Sequence, residues 1–377
     1  SRDLTTYVAP RNAVEGALCE IWKSVLGLKQ DVGINDNFFE LGGDSIMSIQ
    51  VVSRATQAGI GLTVKSIFTR KTIANLALQV GAVVESNADQ GFLSGPTPLL
   101  PALAWFLESL RKTLSNPSHF NQAEFLSLPD GAKHVSASDM KQIVLHLVSH
   151  HDALRLKLHG SHLEFNSETV LSYEYIDVAK LENRDYAVIV NKNQAALDLA
   201  SGAIVRALHF HHGANDSDQL LLIVHHIAIV GISWRILTED FHTAVSHRSS
   251  GKPISLPPKS LSLRQWSTQW KTFVDSSEGQ SALQSWKASV EKTAPSLRHP
   301  DLVGDLSTPF SKVHTLKAEL PAAATKALLT QVCASFRAQI NDVLLACLAA
   351  AFCKVSGNDS FSFTLEGHGR ESPSESA

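Results

Sequence analysis

Ser45 stands in the run LGGDSIMSIQ, where two glycines allow a tight turn, Asp44 can cap a helix and helical periodicity resumes at the serine itself. A hydroxyl at that point sits beside free backbone N–H groups at the positive end of a helix dipole, so a phosphodiester attached to it would be well placed. The same pattern also suits a plain helix cap, and it lacks the G-x-S-x-G setting of an acyl-hydrolase nucleophile. Paired histidines form the second group of chemistry-bearing residues: His150-His151, His211-His212 and His225-His226. Only the last pair follows a buried-strand pattern and opens into a glycine-containing loop, HHIAIVGISW, ahead of the helix-like WRILTEDF. Adjacent histidines on a strand point to opposite faces and no H-E-x-x-H spacing exists, so no metal is assigned. A histidine at a strand end suits proton transfer, because the imidazole titrates near neutrality.

The elements that must position these residues follow from periodicity. Residues 12–27 place Val14, Leu18, Ile21, Trp22 and Val25 on one helical stripe, and the Asn12-to-Glu15 spacing suits its start. A Gly-, Asn- and Asp-rich loop leads to Ser45, a second helix runs to Gly59, and a short apolar turn (SIFTR) and a last helix (TIANLALQV) complete about 80 residues of all-helical pattern. Residues 84–91, VESNADQG, cannot build a core and read as a linker. Beyond it, helical stretches (ALAWFLESLRKTL, DMKQIVLHLVSHH) alternate with β-rich runs (AIVRALHFHH, QLLLIVHHIAIV), the order of a mixed α/β domain. Helices resume with LRQWSTQWKTFV and ALQSWKASVEK, and from Val313 a strand (KVHTLKAEL), a helix pair and a strand (SFSFTLE) suggest a second α/β lobe.

With 377 residues the chain is long enough for two or three domains. A net charge of -3, 18% charged and 44% apolar residues fit an ordinary globular protein, with no basic run that would favour nucleic acid. The four cysteines, Cys19, Cys333, Cys347 and Cys353, fall in apolar helical stretches without C-x-x-C pairing and read as buried, reduced thiols of a cytoplasmic protein. The longest apolar run, LLLIVHHIAIVGI, is too short to span a bilayer, so no membrane association is expected.

Residues 8 to about 80 resemble the peptidyl carrier (thiolation) domains of nonribosomal peptide synthetases, through VAPRNAVEGALCEIWKSVLG, NDNFFELGGDSI and SIFTRKTIANLA. That resemblance implies that Ser45 carries 4′-phosphopantetheine, installed by a phosphopantetheinyl transferase, whose thiol holds an aminoacyl or peptidyl thioester. Asp44 before the serine resembles carriers that feed an epimerization domain. YVAPRN resembles the stretch that follows an adenylation domain, which is expected upstream.

About residues 95–371 resemble the epimerization domains of the condensation superfamily, through SHHDALRLKL, LDLASGAIVRALHF, LLLIVHHIAIVGISWRIL, AQINDVLLACLAAAF and EGHGRE. The Ser233-Trp234 order resembles epimerization rather than condensation domains. The resemblance implies inversion at the α-carbon of the thioester-bound residue, with His226 and Glu366 as the proton carriers and His225 in support. It also implies a downstream condensation domain. Val230 stands where the family has Asp, and the expected consequence is an unpaired Arg155; the front motif PLLPALAWFLE carries Ala102, Leu103 and Ala104 where a glutamine is usual.

The expected architecture is a multidomain chain, an all-α four-helix carrier bundle plus an α/β chloramphenicol-acetyltransferase-like domain with its first lobe complete and its second partial. Its boundaries are 8–83 carrier, 84–94 linker, 95–297 first lobe and 298–377 start of the second. Besides the L-to-D reading, two alternatives are open: a degenerate, non-catalytic docking domain, suggested by Val230, and a condensation domain.

Overall fold

Asn12 starts the first helix as its spacing predicts: its side chain accepts from the Glu15 amide at 2.9 Å, and helix α1 (Ala13–Val25) runs on with Leu18, Cys19 and Trp22 buried. The computed structural model describes residues 7–80, 88–181, 183–213, 216–293, 315–336, 338, 340–360, 363, 365 and 369. Asp44 caps helix α2 (Ser45–Gln57). The SIFTR segment, expected as a turn, lies within a helix, α3 (Val64–Arg70), because Thr63 and Ser66 form a reciprocal capping box at its start. Thr72 caps α4 (Ile73–Ala77). Leu18, Trp22, Phe38, Val51, Ile67, Ile73 and Leu76 are completely buried in one core shared by α1–α4. Each such side chain stabilises the fold by roughly 1.5–3 kcal/mol relative to exposure.

The next stretch begins with β1 (Gly95–Thr97), the short helix α5 (Pro101–Trp105), a π turn and α6 (Arg111–Thr113). Strand β2 (Asn121–Ser127), helix α7 (Ala137–His150), the hairpin β3 (Leu156–His159) and β4 (His162–Phe165), strand β5 (Ser172–Asp177) and helix α8 (Asn183–Gln194) follow. Strands β6 (Val205–His211) and β7 (Gln219–His225) then lead into the long helix α9 (Gly231–Ser249) and α10 (Leu263–Asp275). The main sheet has the order β2-β7-β6-β5, antiparallel except for the parallel pair β5-β6; β1, β4 and β3 form a smaller antiparallel sheet.

β7 explains its own composition. Leu220, Leu222 and Val224 pack into the core built by α7 and α9, whereas Leu221 and Ile223 pack into a second core with Ile176, Leu208 and Phe210. A strand covered on both faces reads as a continuous apolar run rather than an alternation, which is why QLLLIVH is legible as a strand. Strand β2 is not: it pairs with β7 from Asn121↔His225 to Ser127↔Gln219, yet Phe125 is exposed and only Leu126 is buried.

Helices α11 (Ser277–Thr293), α12 (Ala322–Ala327), α13 (Cys333–Phe336) and α14 (Ile340–Ser356) complete the described elements. Of the strand expected at KVHTLKAEL, residues 312–314 lie outside the described residues and 315–320 are irregular and exposed, with no partner strand among the described residues. Most of SFSFTLE lies outside the described residues. The chain divides into two units, one of 1–85 and 281–370, the other of 86–280 and 371–377. The cysteine expectation holds for Cys19, whose thiol is buried and pushed up to about 11 chiefly by desolvation; Cys347 is exposed and Cys333 and Cys353 half-buried, because their helices leave those faces uncovered. Among the described residues no helix is long and apolar enough to cross a membrane.

Candidate functional site

The first candidate site is the start of α2. Asp44 has extended backbone angles and its Oδ1 accepts from the Met47 amide at 2.7 Å, so the helix begins with Ser45 as its first residue. The two glycines before it have different reasons. Gly42 adopts φ 98°, which an L side chain resists; Gly43 has no such angle, but a Cβ there would lie 2.4 Å from the ring of Phe38. Phe38 cannot yield, since it is fully buried and meets Trp22 edge-on with ring centroids 4.8 Å apart. Asp44 and Gly42 are exposed, so this helix start faces solvent on a rigid core. A phosphodiester at this helix start fits that setting, since it would meet the positive end of the helix.

The second site lies where β7 ends and α9 begins. Pairing with β2 carries the chain to His225, and the His226 amide then donates to the Phe120 carbonyl at 2.8 Å. His225 is fully buried; its Nε2 donates to the Pro117 carbonyl at 2.9 Å and its Nδ1 accepts from the Ile227 amide at 3.1 Å. Desolvation pushes its imidazole down to about 4, outweighing the Pro117 bond, so it is neutral and structural at neutral pH.

His226 is half-buried, stacked on Phe120 with ring centroids 4.9 Å apart. Its Nδ1 is 2.8 Å from the Ile229 carbonyl, which only an N–H can satisfy. Its Nε2 faces the Gln122 side-chain nitrogen at 3.2 Å. Gln122 is oriented in turn by Trp234, whose indole N–H donates to the glutamine oxygen at 2.8 Å, leaving the amide N–H toward the histidine. The Trp234–Gln122–His226 series therefore fixes one tautomer: a neutral ring with the proton on Nδ1 and a lone pair on Nε2. Such a group takes a proton rather than giving one.

Sequence reasoning missed Gln122. It precedes His226 by about a hundred positions and reaches it only because the β2-β7 register sets Gln122 opposite Val224. The one signal available was a polar residue three positions before the apolar pair Phe125-Leu126.

Ser233 and Trp234 lie in the first turn of α9; the Ser233 amide donates to the Val230 carbonyl at 2.8 Å and its hydroxyl accepts from the Val230 amide at 3.3 Å. Val230 is the N-cap residue, with cap-like backbone angles and no side-chain acceptor. The expectation that Val230 leaves Arg155 unpaired is corrected: the buried guanidinium pairs with Asp152 and donates to the carbonyls of Leu93 at 2.8 Å and Asn166 at 2.7 Å. It also lies over the Phe92 ring, 3.4 Å from the centroid. Asp152 sits three residues before Arg155 on the same 3-10 turn and also accepts from Lys259 at 3.0 Å, so the charge is compensated locally. Arg155 thereby joins the Leu93 and Asn166 carbonyls to the turn that carries Asp152, while Lys259 joins the same carboxylate to the Gly91 carbonyl. Glu366 lies outside the described residues.

Residues 95–377 match the Condensation domain family and residues 16–80 match the phosphopantetheine attachment site family. The chain is 37% identical over 374 residues to one of the linear gramicidin synthase proteins of Brevibacillus parabrevis, covering 97% of this chain and 5% of that protein. It is 32% identical over 381 residues to tyrocidine synthase 1 of the same organism, covering 98% of this chain and 34% of that protein. The chain thus spans a minor part of the length of the curated relatives it matches. Among solved structures, the epimerization domain from the third module of tyrocidine synthetase B aligns with a TM-score of 0.64 at 28% identity, covering 76% of this chain and 65% of that one.

Proposed function

Because the chain belongs to the condensation-domain family and carries a phosphopantetheine attachment domain, we propose that it inverts the α-carbon of an aminoacyl or peptidyl thioester held on Ser45. When bound, 4′-phosphopantetheine supplies a thiol whose thioester acidifies the α-proton of the attached residue. Inversion needs one proton removed from one face and one returned to the other, with no net change in atoms or charge. His226, neutral and with its lone pair on Nε2, takes the proton from the first face; Glu366 is assigned the opposite face by motif. Phe120 beneath the ring and the Ile229 carbonyl behind it hold the imidazole in place.

The observation that carries this reading is the tautomer imposed on His226 by Gln122 and Ile229. Similarity to an epimerization domain supports inversion over peptide-bond formation, as do Asp44 before the serine and the EGHGRE motif. In the same reading the α1–α4 unit is a four-helix carrier bundle at 8–83 and 84–94 is a linker. Residues 95–297 are a chloramphenicol-acetyltransferase-like first lobe and 298–377 part of a second. The half-exposed Leu344 and Leu348 of α14 fit a lobe interior awaiting further cover. A phosphopantetheinyl transferase, an upstream adenylation domain and a downstream condensation domain are its partners, in the cytoplasm.

A second reading, a non-catalytic domain that only docks the carrier, is favoured by Val230, which leaves α9 without a side-chain cap. Chiral analysis of the aminoacyl group released from the loaded chain separates the two. A mixture of L and D acids supports inversion; recovery of L acid alone supports docking.

A further inference from the structure

A cluster of three histidines around a buried carboxylate lies at the opposite end of β7 from His226 and takes no part in the chemistry above. Asp218, 1% exposed, immediately precedes β7; His209 and His211 are on β6, and His134 is in the loop between β2 and α7. Strand geometry puts this cluster about 20 Å from the β7–α9 junction.

The two oxygens of Asp218 have different surroundings. Oδ2 accepts from the Val135 amide at 3.0 Å and lies 3.2 Å from Nε2 of the fully buried His209, whose Nδ1 is 2.9 Å from the Tyr173 hydroxyl. That side is closed and fixes the carboxylate plane through a Tyr173–His209–Asp218 series. His209 Nε2 has no well-aligned hydrogen bond and still points at the carboxylate. Oδ1 faces outward, and two histidines converge on it through the same ring atom: Nδ1 of His211 at 2.8 Å and Nδ1 of His134 at 3.2 Å. Both are partly exposed, 30% and 36%, so the point between them is open to solvent. The three ligand atoms lie within 4.8 Å of one another. Ligand atoms of a tetrahedral zinc site, at bond lengths of about 2.0 Å, stand roughly 3.3 Å apart, so the cluster needs little opening to accept an ion.

We propose that His134 Nδ1, His211 Nδ1 and Asp218 Oδ1 form a binding site for a divalent transition metal of the zinc class, with a fourth position left to water. The donor set, two imidazoles and a carboxylate, suits zinc or nickel and not magnesium or calcium. Each imidazole binds neutral with its remaining proton on Nε2, and the Val135 amide at Oδ2 supplies the outer hydrogen bond that orients a ligating carboxylate. Bound there, the ion ties the β6–β7 hairpin to the loop before α7 and acts as a structural staple.

Zinc is the probe. Calorimetric titration of the full chain is expected to show one tight site whose dissociation constant rises at least tenfold in His134→Ala and in His211→Ala. Both residues are partly exposed and their truncation leaves the core intact. His151→Ala, which removes a ligand from the other histidine–carboxylate group at His150, His151 and Asp240, is expected to leave binding unchanged. Zinc should raise the melting temperature of the wild type and not of the two ligand variants. Absence of binding to the wild type overturns the proposal, as does undiminished affinity in the His134→Ala/His211→Ala double variant. Loss in His151→Ala alone would overturn it too.

Discussion

Gln122 turns its amide N–H toward His226 Nε2 at 3.2 Å because its carbonyl oxygen is already engaged by the Trp234 indole at 2.8 Å. The resting histidine is thereby held as a proton acceptor: protonation at Nε2 would set two donors against each other. Replacing the amide by a carboxylate reverses that preference while keeping the Trp234 bond. Gln122→Glu sets an acceptor against Nε2, so it is expected to favour the tautomer with the proton on Nε2 and slow exchange on the order of tenfold. Deuterium uptake by the loaded chain checks this, and Gln122→Leu, which removes the amide without supplying an acceptor, should slow exchange less than Gln122→Glu.

Burial of His225 makes stability pH-dependent in a stated direction. Its imidazole is pushed from 6.5 down to about 4 in the folded chain. Between those values the unfolded chain binds the extra proton, so the neutral ring's full contribution is present above about pH 6.5 and is lost as pH falls toward 4. The loss amounts to roughly 2–3 kcal/mol near pH 4.5. Urea unfolding of wild type and His225→Gln near pH 7 and near pH 4.5 isolates it: the wild type should lose more stability on acidification than the variant by about that amount.

Val230 tests whether the missing aspartate disables the loop. The Ser233 amide already bonds to the Val230 carbonyl, and His226 is held by the Phe120 and Ile229 carbonyls, so no side chain at 230 is needed to place the ring. Val230→Asp is expected to add a cap worth about 1 kcal/mol to α9 and to change the exchange rate less than about threefold. Thermal melts and exchange assays on one preparation report both; a much larger gain in rate would mean that residue 230 governs the chemistry.

What is legible in the sequence depends on how local each signal is. The carrier motif is local: the capping Asp44, the loop and the resumed periodicity are contiguous, and the structure adds the separate reasons for its glycines, backbone angle at Gly42 and the Phe38 ring at Gly43. β7 is legible because burial on both faces leaves an apolar run, and His225 and His226 follow it directly. Gln122 is not legible, since its role is set by sheet register across about a hundred residues. Arg155 is misread for the converse reason: the family pattern points to a distant partner, and the real one, Asp152, lies one turn back in HDALR. The Asp218 cluster also escapes, since its members come from the loop before α7, strand β6 and the residue ahead of β7, and His211 is the only one in a His-His pair.

The most direct test of His226 as proton acceptor is deuterium exchange on the loaded chain. Ser45 is converted to its phosphopantetheinyl form, charged with an L-aminoacyl group and incubated in D2O, with mass and chirality of the released acid read over time. The expected result is deuterium at the α-carbon and a mixture of L and D acid from the wild type, both abolished in His226→Ala while loading of Ser45 is unchanged. Exchange that persists at the wild-type rate in His226→Ala, or a fully loaded wild type that takes up no deuterium, would contradict that role.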